Sequence, residues 1–179
     1  MTREQFLVGV LGLAAAQLAG CSQLVGPAAA DGGTVGPGGS DPAKLYKPTG
    51  EWRALLSPAA FAVLFQEWTE PPHSSPLTPE HRPGTYVCAA CFIPLFHAAM
   101  KYDSGTGWPT FWDPIQSRLG FKLDLILTQP RTEYHCGRCG GHHGHVFDDG
   151  PPPTGKRYCN NGLALRFIPL GEPLPELRR

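Results

Sequence analysis

The chain has 179 residues, and 15 basic side chains balance 15 acidic ones, which excludes a general electrostatic footprint for nucleic acid. Its 22 glycines and 20 prolines exclude a helical bundle and point to one loop-rich, mainly β domain with extensions. Six cysteines are enough to staple a core of modest size, either as disulfides or as metal ligands.

Residues 1–20 read as an export signal, with Arg3 near the start and an apolar run from Phe6 to Ala16 that is short for a bilayer span. Leu18, Ala19, Gly20 and Cys21 look like the lipobox of bacterial lipoproteins, which implies cleavage before Cys21 and a lipid on that residue. An ordinary cleaved signal, or an uncleaved apolar tail, is the alternative. The start is also like a twin-arginine signal, with Glu4 in place of the second arginine. The expectation is an exported bacterial lipoprotein, anchored in a membrane at Cys21 and facing the periplasm or the exterior. From Ser22 to about Gly50 the composition offers little apolar surface to bury, so this span is expected to be a flexible tether.

The folded domain is expected over residues 51–170. Ser57 followed by Pro58 predicts a helix start, the hydroxyl capping free amides and the proline fitting the first turn. Phe61, Leu64, Phe65 and Trp68 then fall on one face as core, and Pro71 and Pro72 end the helix. Strands are predicted at Thr85–Cys88, Phe121–Leu127, Arg131–Cys136, His145–Phe147 and Leu163–Ile168. No parallel βαβ rhythm is present, so the expected fold is antiparallel sheets with one or two peripheral helices. Residues 171–179 form a tail without an interpretable pattern.

Cys88 and Cys91 make one C-x-x-C pair and Cys136 and Cys139 a second, with 44 residues between them. Two tight turns of this kind can close a four-sulfur tetrahedral site, so structural zinc is expected; two disulfides, a redox dithiol or an iron site are the alternatives. A closed site has no open position and stabilises the fold without taking part in catalysis. No organic cofactor is expected.

The remaining reactive groups are His142, His145 and Cys159, the last two residues after Arg157. A cysteine outside the metal pairs is nucleophilic as thiolate, a form that a nearby cation favours. The two histidines could instead bind a catalytic ion together with Cys159, or be surface residues of a turn. YVCAAC, KYDSGTGWPTFWDP, RTEYHCGRCGGHHGHVFDDGPPPTGKRYCNN and LALRFIP, in this order, resemble the methionine-R-sulfoxide reductase family (the B type) from about Trp52 to Pro169. The resemblance implies two antiparallel sheets packed at an angle, and reduction of methionine R-sulfoxide in oxidised proteins through a Cys159 sulfenic acid. It also implies that His142, His145 and Asn161 hold water and the sulfoxide oxygen. By the same resemblance Trp108, otherwise a core aromatic, would offer its indole face to the substrate methyl group, and Arg157 would help keep Cys159 ionised.

Thr106 occupies the place where many members carry a resolving cysteine, so a thioredoxin-like protein or a small thiol is the expected external reductant. Asn160 stands where an aliphatic residue is usual, His143 for a leucine and Gly162 for a serine. A monomer is expected. Two rivals share the motifs: a zinc-stapled, lipid-anchored binding domain without turnover, and a metal-dependent hydrolase built on the histidine pair.

Overall fold

The computed structural model describes residues 43–179; the export signal, Cys21 and the tether up to residue 42 lie outside the described residues. Two helices, α1 (Thr49–Leu55) and α2 (Pro58–Gln66), precede nine strands. These are β1 (Gly84–Cys88), β2 (Pro94–His97), β3 (Lys101–Tyr102), β4 (Thr110–Phe111), β5 (Leu119–Asp124), β6 (Arg131–Cys136), β7 (His142–Phe147), β8 (Arg157–Asn160) and β9 (Leu165–Pro169). They form a three-stranded sheet in the order β2-β1-β9 and a six-stranded sheet in the order β3-β4-β8-β7-β6-β5, all pairs antiparallel. Among the described residues no helix is long and apolar enough to cross a membrane.

An aromatic layer joins the sheets. Tyr86 of β1 and Phe96 of β2 meet Phe111 of β4 at centroid distances of 4.9 and 4.4 Å, and Tyr134 of β6 meets Tyr158 of β8 at 5.5 Å. All five are buried, and each contributes on the order of 2–3 kcal/mol of apolar burial.

Helix α2 begins as the sequence predicts, with Ser57 Oγ accepting the Ala60 amide at 3.2 Å. It buries Phe61, Val63 and Leu64, while Phe65 stacks on Trp52 of α1 at 5.0 Å. Its end differs from expectation. Glu67 turns left-handed at φ 56°, and its side chain pairs with Lys122, so the helix stops before either proline. Trp68 therefore leaves the helical face and is 53% exposed, not core.

Further boundaries move: β7 starts at His142 and not at His145, and β5 at Leu119 and not at Phe121. The Asp124 carboxylate accepts the Ile126 amide at 2.8 Å, which turns the chain out of β5 and leaves Leu125, Ile126 and Leu127 exposed. Gly162–Ala164 is a 3-10 turn, so β9 starts at Leu165 and not at Leu163. The span read as a tether also stops short of Gly50: Lys44 Nζ donates to the Gly137 carbonyl at 2.6 Å, the Leu45 amide to that of Arg138 at 2.8 Å, and α1 begins at Thr49.

Candidate active site

Strand register assembles the site. Cys159 sits on β8 opposite Thr110 of β4 on one side and His145 of β7 on the other. Residues paired in this way point to one face with Cβ atoms about 4.5–5.5 Å apart. By period two Arg157 shares that face, while Tyr158 and Asn160 turn into the core.

His142 and His145 are three residues apart, which in a regular strand would place them on opposite faces. The pairing Glu133 with His145, Tyr134 with Gly144 and His135 with His142 leaves His143 as an extra residue in β7. This bulge returns His142 to the face of His145, with ring centroids 5.7 Å apart. It also turns His143 inward, where it is fully buried and stacked 6.5 Å from Tyr134.

Asp124 organises the polar side of the site. Its carboxylate accepts from the Ile126 amide, from His145 Nε2 at 2.8 Å and from Arg131 Nη2 at 2.6 Å. These bonds, the amide first, hold it well below the usual carboxylate range. An ionised Asp124 only accepts, so Nε2 of His145 carries the ring proton and Nδ1 is a bare acceptor. Burial lowers the pKa of His145 against the pull of Asp124, which favours this neutral form. His142 Nδ1 lies 3.0 Å from a Glu133 carboxylate oxygen without the geometry of a hydrogen bond.

Cys159 is half-buried, and burial pushes its thiol up; the Thr106 hydroxyl and the Arg157 cation oppose this without overcoming it. Arg157 thus acts toward the thiolate, against the larger effect of burial. Arg157 is engaged elsewhere, forking onto Asp149 at 2.7 and 2.9 Å with its guanidinium 4.2 Å from the Phe147 ring. The pocket over Cys159 measures about 120 Å³ and is lined by Thr69, Trp108, Arg131, His145, Asn160 and Asn161 among others. Trp108 forms a wall, half-buried, its Nε1 donating to the Glu70 carbonyl at 3.0 Å. Asn161 forms another, its Oδ1 accepting the Glu70 amide at 2.9 Å and its Nδ2 donating to the His143 carbonyl at 3.1 Å.

Sequence reading missed Asp124, Arg131 and Glu133. The available signal for Asp124 was a lone acid in the apolar run FKLDLIL, which alternation puts on the face of Lys122. Thr106 stands where the sequence suggests only an absent cysteine, yet its hydroxyl, 2.9 Å from Ser104 Oγ, also favours the Cys159 thiolate.

Cys88, Cys91, Cys136 and Cys139 converge, with all four sulfurs within 4.8 Å of one another and the closest pairs at 3.6 and 3.7 Å. A disulfide needs about 2.05 Å, and all five cysteines of the described residues are free, so the two-disulfide alternative is excluded. A tetrahedron with metal–sulfur bonds of about 2.3 Å has edges of about 3.8 Å, which these separations fit. The two turns are copies. In each, the residue after the second cysteine is left-handed (Phe92 at φ 64°, Gly140 at 76°) and donates its amide to the carbonyl of the first. Each first cysteine in turn donates to the carbonyl five residues on, Ile93 or Gly141. The C-terminal tail closes over the first turn, with Arg178 donating its amide to Cys91 at 3.2 Å and its guanidinium 4.5 Å from the Phe92 ring. Among the described residues this is the one cluster with metal-holding geometry, so His142, His145 and Cys159 do not converge as the hydrolase rival requires.

Residues 56–169 match the SelR domain family. The chain is 47% identical over 127 residues to peptide methionine sulfoxide reductase MsrB of Bradyrhizobium diazoefficiens, covering 70% of this chain and 91% of that protein. It is 48% identical over 124 residues to the protein of the same name from Methanosarcina barkeri, with 69% and 87% covered. With that from Pseudomonas entomophila the identity is 45% over 127 residues, with 70% and 97% covered.

Proposed function

The chain belongs to the SelR domain family, and we propose that it is a peptide-methionine (R)-S-oxide reductase in which Cys159 takes the oxygen from the substrate sulfur. The observation that carries this reading is the register that sets a free, half-buried Cys159 opposite His145 at the floor of a pocket walled by Trp108. Because burial favours the thiol over the thiolate, a base at the moment of attack is useful, and the bare Nδ1 of neutral His145 suits that task. Proton transfer to His145 frees the thiolate, which attacks the sulfoxide sulfur. Returning the proton to the sulfoxide oxygen makes that oxygen transferable. The net step converts Cys159 thiol and methionine sulfoxide into Cys159 sulfenic acid and methionine, on the reversible rung of the cysteine oxidation ladder. Two equivalents of an external thiol, from thioredoxin-like protein or a small molecule, then give back the thiol, a disulfide and water. Among the described residues no second cysteine lines the pocket to do this internally.

The indole of Trp108 offers a face to the substrate methyl group, while Asn161 and the His142–His145 pair hold the oxygen or its bridging water. Zinc is the metal we assign to the four cysteines, from thiolate softness and from separations suited to a tetrahedral ion. When bound it supplies a crosslink between the two sheets. The N-terminal sequence supports an exported form anchored through Cys21; replacing Cys21 with alanine should release the protein from membranes into the soluble fraction.

The decisive assay offers peptides with each sulfoxide epimer to the unaltered protein and to Cys159→Ser. Turnover of the R epimer alone, lost in Cys159→Ser with metal content unchanged, is expected. Persistent R turnover in the serine variant refutes the reading, and binding without turnover in either protein turns it into a recognition domain.

A further inference from the structure

Glu70 lies on the loop between α2 and β1, is 2% exposed, and spends every polar group it has on the walls of the pocket or their support. Its amide donates to Asn161 Oδ1 at 2.9 Å and its carbonyl accepts from Trp108 Nε1 at 3.0 Å. Its carboxylate accepts the amides of Gly162 at 2.6 Å and Leu163 at 2.9 Å, immediately after Asn161. Trp108 reaches the pocket from the β3–β4 loop and Asn161 from the end of β8. Among the described residues Glu70 is the only one hydrogen-bonded to both side chains. Gly162 permits the approach: a Cβ there would lie 1.9 Å from Ser75 Oγ and 3.2 Å from Glu70 Oε1, so the usual serine could not occupy this position unchanged.

We propose that Glu70 is a positioning residue for sulfoxide reduction, its carboxylate fixing the spacing between the Trp108 and Asn161 walls. This rests on the functional reading above. The mechanism is mechanical. Bonds from amides to a carboxylate are shorter and about twice as strong as neutral ones, so they pin the Glu70 backbone, and the backbone in turn holds both walls. A displacement of about 1 Å at a reacting centre costs on the order of a hundredfold in rate. Glu70→Gln keeps the volume but turns one acceptor into a donor facing an amide, which releases one of the two pins.

The test uses the full-length protein at temperatures where circular dichroism shows each variant folded. Three quantities are read: kcat/KM for a peptide carrying methionine R-sulfoxide, the rate of Cys159 alkylation by iodoacetamide, and the Trp108 indole N–H resonance, identified by its loss in Trp108→Phe. Glu70→Gln should lower kcat/KM about tenfold or more and move the indole resonance, with alkylation within about twofold of the unaltered protein. A folded Glu70→Gln with an unmoved resonance, or with unchanged kcat/KM, overturns the proposal. So does an activity loss matched by an equal loss of alkylation, since that reports a collapsed site. If the glutamine variant does not fold, Glu70→Asp, one methylene short of the same amides, is judged by the same criteria. A protein inactive on both epimers would sink the functional reading, while the indole shift still decides whether Glu70 positions Trp108.

Discussion

Acidification should expose His143 as a weak point in the fold. The ring is fully buried with no hydrogen-bond partner on either nitrogen, and burial, aided by His142, pushes its pKa from 6.5 down to about 3. Above pH 6.5 the imidazole is neutral in folded and unfolded chains alike, so stability does not respond to pH through this group. Below it the unfolded chain binds a proton that the folded chain refuses until about pH 3, and stability is lost across that window. The loss is about 1.4 kcal/mol per pH unit, or about 2.7 kcal/mol between pH 7.5 and 4.5. Urea unfolding of the unaltered protein and of His143→Leu, followed over this range with a thiol reductant present, isolates the effect. His135 and His145, also lowered by burial, titrate in both proteins, so their contributions cancel on subtraction. The expected result is a difference between the two proteins that shifts by about 2.7 kcal/mol in favour of His143→Leu on acidification. Stability curves that run parallel from pH 7.5 to 4.5 would refute the assignment of His143 as a buried neutral base.

Thr106→Cys introduces a thiol near Cys159, and after one turnover without reductant the Cys159 sulfenic acid should condense with it, losing water, to an intramolecular disulfide seen by mass spectrometry as a loss of two free thiols; a sulfenic acid persisting at Cys159 beside the unreacted introduced thiol contradicts this. Cys139→Ser, or prolonged chelation under reducing conditions, should remove the metal and abolish the cooperative melting transition, since structural zinc sites in small domains contribute on the order of 10 kcal/mol; an unchanged melting temperature would show that the four sulfurs are not a working clasp. Trp68→Ser should change stability by no more than about 0.5 kcal/mol, the range for exposed positions, whereas a loss above about 2 kcal/mol would restore Trp68 to the core.

Much of this organisation could be read from residue order because local chemistry and final structure agree. Ser57-Pro58 starts a helix on its own terms, RTEYHC forms β6 end to end, and two C-x-x-C pairs meet because each makes its turn locally. What escaped was set by long-range partners. The Lys122 contact accompanies the early helix stop at Glu67, and the Glu70 carboxylate converts Gly162–Ala164 from strand to turn. Strict period two would have separated His142 from His145. Only the pairing partner β6 reveals the extra residue that brings them together. β2, four residues beginning with proline, was too short for any periodicity to show, although it carries Phe96 into the aromatic layer.

The duplicated cysteine turns have a consequence for assembly. One copy leaves the end of β1 and the other the end of β6, so half of the cage belongs to each sheet. Neither half alone offers an ion more than two sulfurs. An ion seated among the four sulfurs would therefore need both sheets in place: a chain interrupted before Cys136 offers it only two of them.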